Sequence, residues 1–270
     1  MKNRFLFSAA LPLVLAGCLQ AQVNAPSIGV AKYLDNSVHA VFGVHDNFLV
    51  RSEAIGRADA ISFSDFGGLL ASHGHIQLVG PSFAVLAEYD SGEATPLLNI
   101  DGQLTTAIVW LPSQAALLYW NGTTFVVTDL RDQPPGHVTS VQLASPKAAK
   151  LLVTEPGGIV SETTISLETG NVISLRVLPG VEAPAFEQGT FLLFPTEHGL
   201  EVKSGNGVLR TLPISATDVA VERMSSDWLH LTSASTNQHW VLHLNERTLE
   251  ISELPAIPAS PATAGNGRQQ

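Results

Sequence analysis

Three features of the sequence predict an all-β fold of repeated units. No stretch in the body of the chain has a convincing helical period. Short β-branched and aromatic runs alternate with Gly, Pro, Asn and Asp, as in "TTAIVWLP", "AALLYWNG", "TTFVVTDL" and "HWVLHLNERT". One kind of apolar strand recurs: "LLAS" from Leu69, "LLYW" from Leu117, "LLVT" from Leu151, "FLLF" from Phe191 and "LHLT" from Leu229. The steps are 48, 34, 40 and 38 residues, about 40 on average. That period is the length of a four-stranded β-propeller blade. Ser27 to Leu254 then holds about six blades.

Each element has a physical reason. A four-stranded blade cannot cover both of its faces alone, and radial stacking buries them while leaving few free edges. Strands buried on both sides should read as apolar runs, and "LLVT" and "FLLF" do so. Asn121-Gly122 in "WNGT" predicts a tight hairpin of type I′, and "ETGN" and "SGNG" are similar turns. Upstream, "GVAKYLDNSVHAVFGV" reads as two strands around an Asn-Ser turn, an incomplete first repeat. A pair of tandem β-sandwiches is the alternative, since sandwiches also place strands every 8 to 12 residues.

"FSDFGGLLA" resembles the S-P-D-G-x-x-L-A turn of WD40-like and TolB-like propellers, with Asp65 and Gly67 near the Asp-Gly positions. Pro112-Ser113-Gln114 and Ser145-Pro146-Lys147 lack that Gly, and the G-H…W-D signature is missing. The resemblance is to degenerate bacterial secreted propellers.

The N-terminus reads as an export signal. Lys2 and Arg4 precede an uncharged run from Phe5 to Leu15. That run is about half of the roughly 20 residues a bilayer span needs. Cleavage after Ala21 by an ordinary signal peptidase would place the large Leu19 where a small residue is required. Leu15-Ala16-Gly17-Cys18 instead resembles the bacterial lipobox. The resemblance implies cleavage before Cys18, a diacylglycerol thioether on its sulfur and an acyl chain on its amine. Two or more chains hold a protein stably on a membrane, at about 0.8 kcal/mol per buried methylene. Lipidation would also remove the chain's only thiol, a liability in an oxidising compartment. Leu19 rather than Asp follows the cysteine, which favours the outer membrane or cell surface over the inner membrane. The expected organisation is signal peptide 1–17, lipidated Cys18 with a tether to 27, a propeller over 28–255 and a disordered tail over 256–270.

Charged residues make up 14% of the chain and the net charge is −10. Loss of Lys2 and Arg4 makes it −12. An acidic chain without a basic run excludes nucleic acid as a partner. The expected partners are a membrane through the lipid, and envelope proteins or glycans.

No nucleophile motif or phosphate loop is present, so no catalytic residue and no cofactor are assigned. His73 and His75 are two apart, and His239 and His243 would share a strand face, but neither pair alone makes a metal site. The latter pair is expected on an exposed face. Glu155, Glu162, Glu197 and Glu222 lie near the repeats and are expected to be solvated. Trp110, Trp120, Trp228 and Trp240 are expected to pack between blades. The sequence favours a binding or scaffold module without catalysis. A lactonase-type or sugar-dehydrogenase-type enzyme is the runner-up and requires Glu, Asp, Asn or His converging in the channel. A structural subunit of an envelope complex is a third reading and requires an exposed apolar patch.

Overall fold

The computed structural model describes residues 25–257 apart from 45, 94, 216, 217, 246 and 248. The expected signal peptide, Cys18, most of the expected tether and the tail beyond residue 257 lie outside the described residues. Strands, and no helix, occur among the described residues.

The chain runs through six consecutive antiparallel meanders. The first contains β1 (Ser27–Lys32), β2 (Ser37–Val44), β3 (Asn47–Val50) and β4 (Gly56–Arg57). The second contains β5 (Ala60–Ser64), β6 (Gly67–Ser72), β7 (Gly74–Val79) and β8 (Val85–Glu93). The third contains β9 (Leu97–Ile100), β10 (Ala107–Leu111), β11 (Ala116–Trp120) and β12 (Phe125–Asp129). The fourth contains β13 (His137–Ser145), β14 (Ala148–Thr154), β15 (Val160–Ser166) and β16 (Val172–Val177). The fifth contains β17 (Phe186–Gln188), β18 (Phe191–Thr196), β19 (Gly199–Lys203) and β20 (Leu209–Leu212). The last contains β21 (Val219–Arg223), β22 (Trp228–Ser233), β23 (Gln238–Leu244) and β24 (Leu249–Glu253).

The meanders are not equal blades. In the first, β3 and β4 both pair with β2 on the side away from β1, so that sheet is only three strand positions wide. The second and last meanders share one parallel bridge, Ser62 of β5 with Arg223 of β21, which fuses them into one eight-stranded sheet.

Six apolar clusters show that the meanders close a ring. Val30 and Val38 of the first sheet pack with Ile61 and Phe63 of the second. Leu69 and Leu78 pack with Val109 and Leu118. Trp110 and Leu117 meet Val138, Leu151 and Val153. Leu152 and Val160 meet Ala185 and Phe194, and Leu193 and Val202 meet Leu231 and Leu242. Met224 and Val241 of the last blade return to Ile28 and Val41 of the first. Each buried Leu or Val contributes about 1.5–3 kcal/mol. The fold is a β-propeller. Two sandwiches would give separate cores and no such circuit.

Burial falls from the middle of each blade outward. All five residues of β10 are buried, whereas all six of β16 are exposed. "AIVWL" is covered on both faces by neighbouring blades. The hairpin at Asn121-Gly122 forms, but not as a two-residue turn. Trp120 pairs with Phe125, so four residues make the loop. The Asn121 side chain accepts from the backbone N–H groups of Thr123 and Thr124, both at 3.0 Å, and this local bonding sets the wider turn.

Candidate functional site

The first strands of the last five blades, β5, β9, β13, β17 and β21, surround a central cavity of about 490 Å³. The first sheet adds Lys32 at its edge. Leu97, Leu98, Val141, Phe186 and Val221 make parts of the wall apolar.

Arg223 lines the cavity. Its guanidinium donates to the backbone carbonyl of Ile100 in the third blade, to that of Ser225 at 3.1 Å and to that of Ser226 at 3.3 Å. The Gln188 amide of the fifth blade, with its oxygen toward the guanidinium, accepts from Nε at 3.1 Å and Nη1 at 3.3 Å. Groups from several blades meet at one side chain only near the axis of a propeller. Burial lowers the pKa of Arg223, opposed by the charges of Asp101, Asp65 and Asp227.

Two of the four cavity carboxylates, Glu222 and Glu187, are met by cations, while Asp59 accepts from Asn36 and the His73 N–H and Asp218 from Ser233 and Ser235. Glu222 lies 3.4 Å from Lys32. Burial pushes its pKa up to about 7, against the pull of Lys32 and of a hydrogen bond from the Ile61 backbone. Glu187 bonds Lys150, which is also 3.7 Å from Glu162, and Arg176 reaches Glu162 at 3.0 Å. Burial raises the Glu187 pKa although Lys150 opposes it. Among the described residues no group of three or more His, Cys, Asp or Glu is placed to hold a metal ion.

A second polar cluster fills the seam between the first sheet and the last blade. His230 on β22 and His239 on β23 share a hydrogen bond of 3.1 Å between Nε2 and Nδ1. Their rings are nearly parallel, 9° apart, with centroids separated by 5.2 Å. The Tyr33 ring lies 4.3 Å from that of His239 and 5.5 Å from that of His39. Tyr33 donates its hydroxyl to the Pro255 carbonyl at 3.1 Å. Burial first, then the charge of Lys32, lowers the pKa of His239 to about 4. Burial, then His239 and Lys32, lowers that of His230 to about 3. Burial alone pushes the Tyr33 hydroxyl up.

Beside them, Ser37 Oγ lies 2.5 Å from Asp35 and 2.8 Å from His39 Nε2. His39 Nδ1 is 2.8 Å from the Arg51 carbonyl. The residue types are those of a hydrolytic triad, but the order is not. A triad needs His between Ser and Asp. Here Ser37 is the middle member and is buried.

The remaining sequence candidates separate. His73 sits in the turn after β6 with Ser72 Oγ at 2.8 Å, and His75 faces Glu88 at 3.6 Å. Glu197 is exposed beside His198. Of the four glutamates expected to be solvated, Glu222 is in the cavity and Glu162 is in the Lys150 network. His239 and His243 share a face, but it is covered rather than exposed. His239 is buried, and His243 stacks on Trp228 at 4.4 Å. The first meander, from the far end of the chain, brings Tyr33 against His239, while His243 is half-buried within the last blade. Trp110, Trp120, Trp228 and Trp240 all pack in the clusters between blades.

Sequence reasoning missed Lys32, His39, Glu187, Arg223 and His230. His230 was hidden in "LHLT", where its neighbours made it read as part of an apolar strand. An imidazole inside a fully apolar run is itself a signal, because it must find a buried partner.

No family model matches the chain, and no curated protein matches its sequence. Among solved structures, a chain in the crystal structure of a nidogen/laminin complex is similar at 11% identity, with a TM-score of 0.55 over 83% of this chain and 91% of that one. The Cps50 (Swd1) β-propeller domain of Myceliophteria thermophila matches at 12% identity and a TM-score of 0.47, covering 86% and 88%. Virginiamycin B lyase from Staphylococcus aureus matches at 15% and 0.43, covering 72% and 68%. At these identities the likeness is one of fold alone, and the ring of six inter-sheet cores carries the propeller assignment.

Proposed function

We propose that the chain is a lipid-anchored binding module of a bacterial cell envelope, held on the outer membrane or cell surface through Cys18. A propeller is a rigid disc that presents loops and outer strands for contact, which supports a binding or scaffold role. One observation carries the reading: the two glutamates of the cavity are answered within the chain, Glu222 by Lys32 and Glu187 by Lys150. The enzyme alternative asks for Glu, Asp, Asn or His converging in the channel; Asp59, Asn99, Glu187, Asp218 and Glu222 line the cavity, but the two glutamates among them are held by lysines. The acidic net charge points away from nucleic acid, and the proposed location makes envelope proteins or glycans the partners to test.

A second reading, a structural subunit of an envelope complex, is favoured by the outer strand β16. There Leu175 and Val177, 53% and 51% exposed, alternate onto one face, and Ile173, 61% exposed, stands at a β-bulge beside them.

The test of the anchor is the intact mass of the N-terminal peptide from cells, with Cys18→Ala alongside. The expected result is a diacylglycerol-bearing peptide starting at Cys18. In the variant, the lipid and membrane retention should both be lost. An unmodified peptide starting after Ala21 would overturn the reading and make the protein a freely secreted one.

A further inference from the structure

We propose that the seam between the first sheet and the last blade is an acid-released latch, from which β1–β4 separate while the other blades stay folded. The inference does not depend on the lipid anchor.

The geometry starts with the buried imidazole pair. At 3.1 Å, one of the two facing nitrogens must donate and the other accept. That arrangement suits two neutral rings. One added proton leaves a buried cation near Lys32, and a second sets N–H against N–H. His230 Nδ1 is already buried without a partner. A cation in such a site is relieved most simply by letting water in.

The groups facing the pair do little to stabilise added positive charge. β1 and the residue after it bring Lys32 and Tyr33, and β2 brings His39. On β21, Glu222 pairs in register with His230 and is held by Lys32. On β24, Glu253 is exposed, and the segment after it offers the Pro255 carbonyl to Tyr33. At the outer edge of the seam, Asp35, Glu53 and Arg57 line the surface pocket that His39 and His239 also reach.

The seam is held by side chains more than by strand pairing. All four strands of the last blade come from one continuous segment, so among the described residues no N-terminal strand is stitched into it. Across the seam run one backbone bond, Val30 N–H to the Met224 carbonyl at 3.2 Å, the Tyr33–Pro255 bond, Ser252 Oγ to Asp46 at 2.9 Å and the Lys32–Glu222 pair at 3.4 Å, beside the apolar cluster of Ile28, Val41, Met224 and Val241. The Ser62–Arg223 bridge already joins the second and last blades along the inner edge of the first sheet. The first sheet is therefore a wedge between two blades that touch without it.

The sign of the pH effect follows from the groups released. The histidines ionise lower in the closed seam than the ordinary value of 6.5, so opening takes up protons as pH falls below 6.5. Glu222 does the opposite. Its value of about 7 in the closed seam lies above 4.5, so opening releases its proton between those limits. Two protons gained against one lost make opening about tenfold more favourable per pH unit from 6.5 to 4.5. Just below 4.5 the Glu222 contribution ends and the dependence steepens.

The test is hydrogen–deuterium exchange on the full protein from pH 7.5 to 4.5, corrected for the intrinsic exchange rate. Protection in 27–57 and 228–244 should fall about tenfold per unit below pH 6.5, while 97–212 stays protected. In the double variant His230→Phe/His239→Phe only Glu222 remains, so the seam should become more protected with acid. His239→Gln alone, which keeps a polar group for His230, should leave protection nearly flat with pH and covers the case in which the double variant fails to fold. Seam protection that does not change with pH, loss of protection in all blades together, or a variant with the wild-type slope would each overturn the latch.

Discussion

Arg223 is a buried cation held by the backbone carbonyls of Ile100, Ser225 and Ser226 and the amide of Gln188. Hydrogen bonds to a charged group contribute about 1.5–3 kcal/mol each, and the carbonyls left bare by its removal are costly. Arg223→Met should therefore destabilise the protein by about 3 kcal/mol or more in urea melts at pH 7. Arg223→Lys should recover only part of this, because an ammonium cannot span the same fork. In sequence, Arg223 is an ordinary residue in "VAVERMSS". Nothing local distinguishes it, because its partners lie up to 123 residues away. Cys18 is the opposite case. Its proposed role rests on three preceding neighbours and a greasy run, all adjacent in the chain.

At the scale of elements, the turn after β5 shows how a local motif serves the ring. Ser64 Oγ donates to the Gly67 carbonyl at 3.2 Å and accepts from the Phe66 N–H at 3.3 Å. Gly67 has a φ of 141°, and a Cβ there would lie 2.1 Å from the Val79 carbonyl oxygen. The fifth blade repeats the device. Thr196 bonds the Gly199 carbonyl at 3.1 Å, and Gly199 lies against Leu212 in the same way. "TEHG" is thus the counterpart of "SDFG", a match visible by position rather than by identity. Gly67→Ala should cost about 2 kcal/mol or more, read from chemical denaturation, since both backbone strain and a backbone clash oppose it. An unchanged midpoint would mean that the third strand of the blade yields freely. The strands themselves were legible because β-branched runs broken by turn residues have a local cause. The Asn121-Gly122 turn was legible as a hairpin but not in its length, since side-chain bonds within the loop set that.

At the scale of the molecule, each meander is covered by two neighbours, and the seam that closes the ring contains an apolar core of its own. Met224 is fully buried there with Ile28, Val41 and Val241. Met224→Ala should cost about 2–5 kcal/mol, as for other large-to-small core changes. Calorimetry checks it: the expected result is a lower melting temperature, and an unchanged one would show that the seam contributes little to closure.

The sequence by itself determined the strand-rich class, the period of about 40 residues, the incomplete first repeat and the acidic character that disfavours nucleic acid. These rest on local preference and composition, which neighbours in the chain carry. Only the tertiary structure decided which ionisable groups meet. Lys32, Tyr33 and His39 come from the start of the ring, and Glu222, His230 and His239 from its end. Closing a propeller brings the two ends of the repeat array together. The chemistry at that seam is written in residues some 200 positions apart, where no spacing or periodicity could join them.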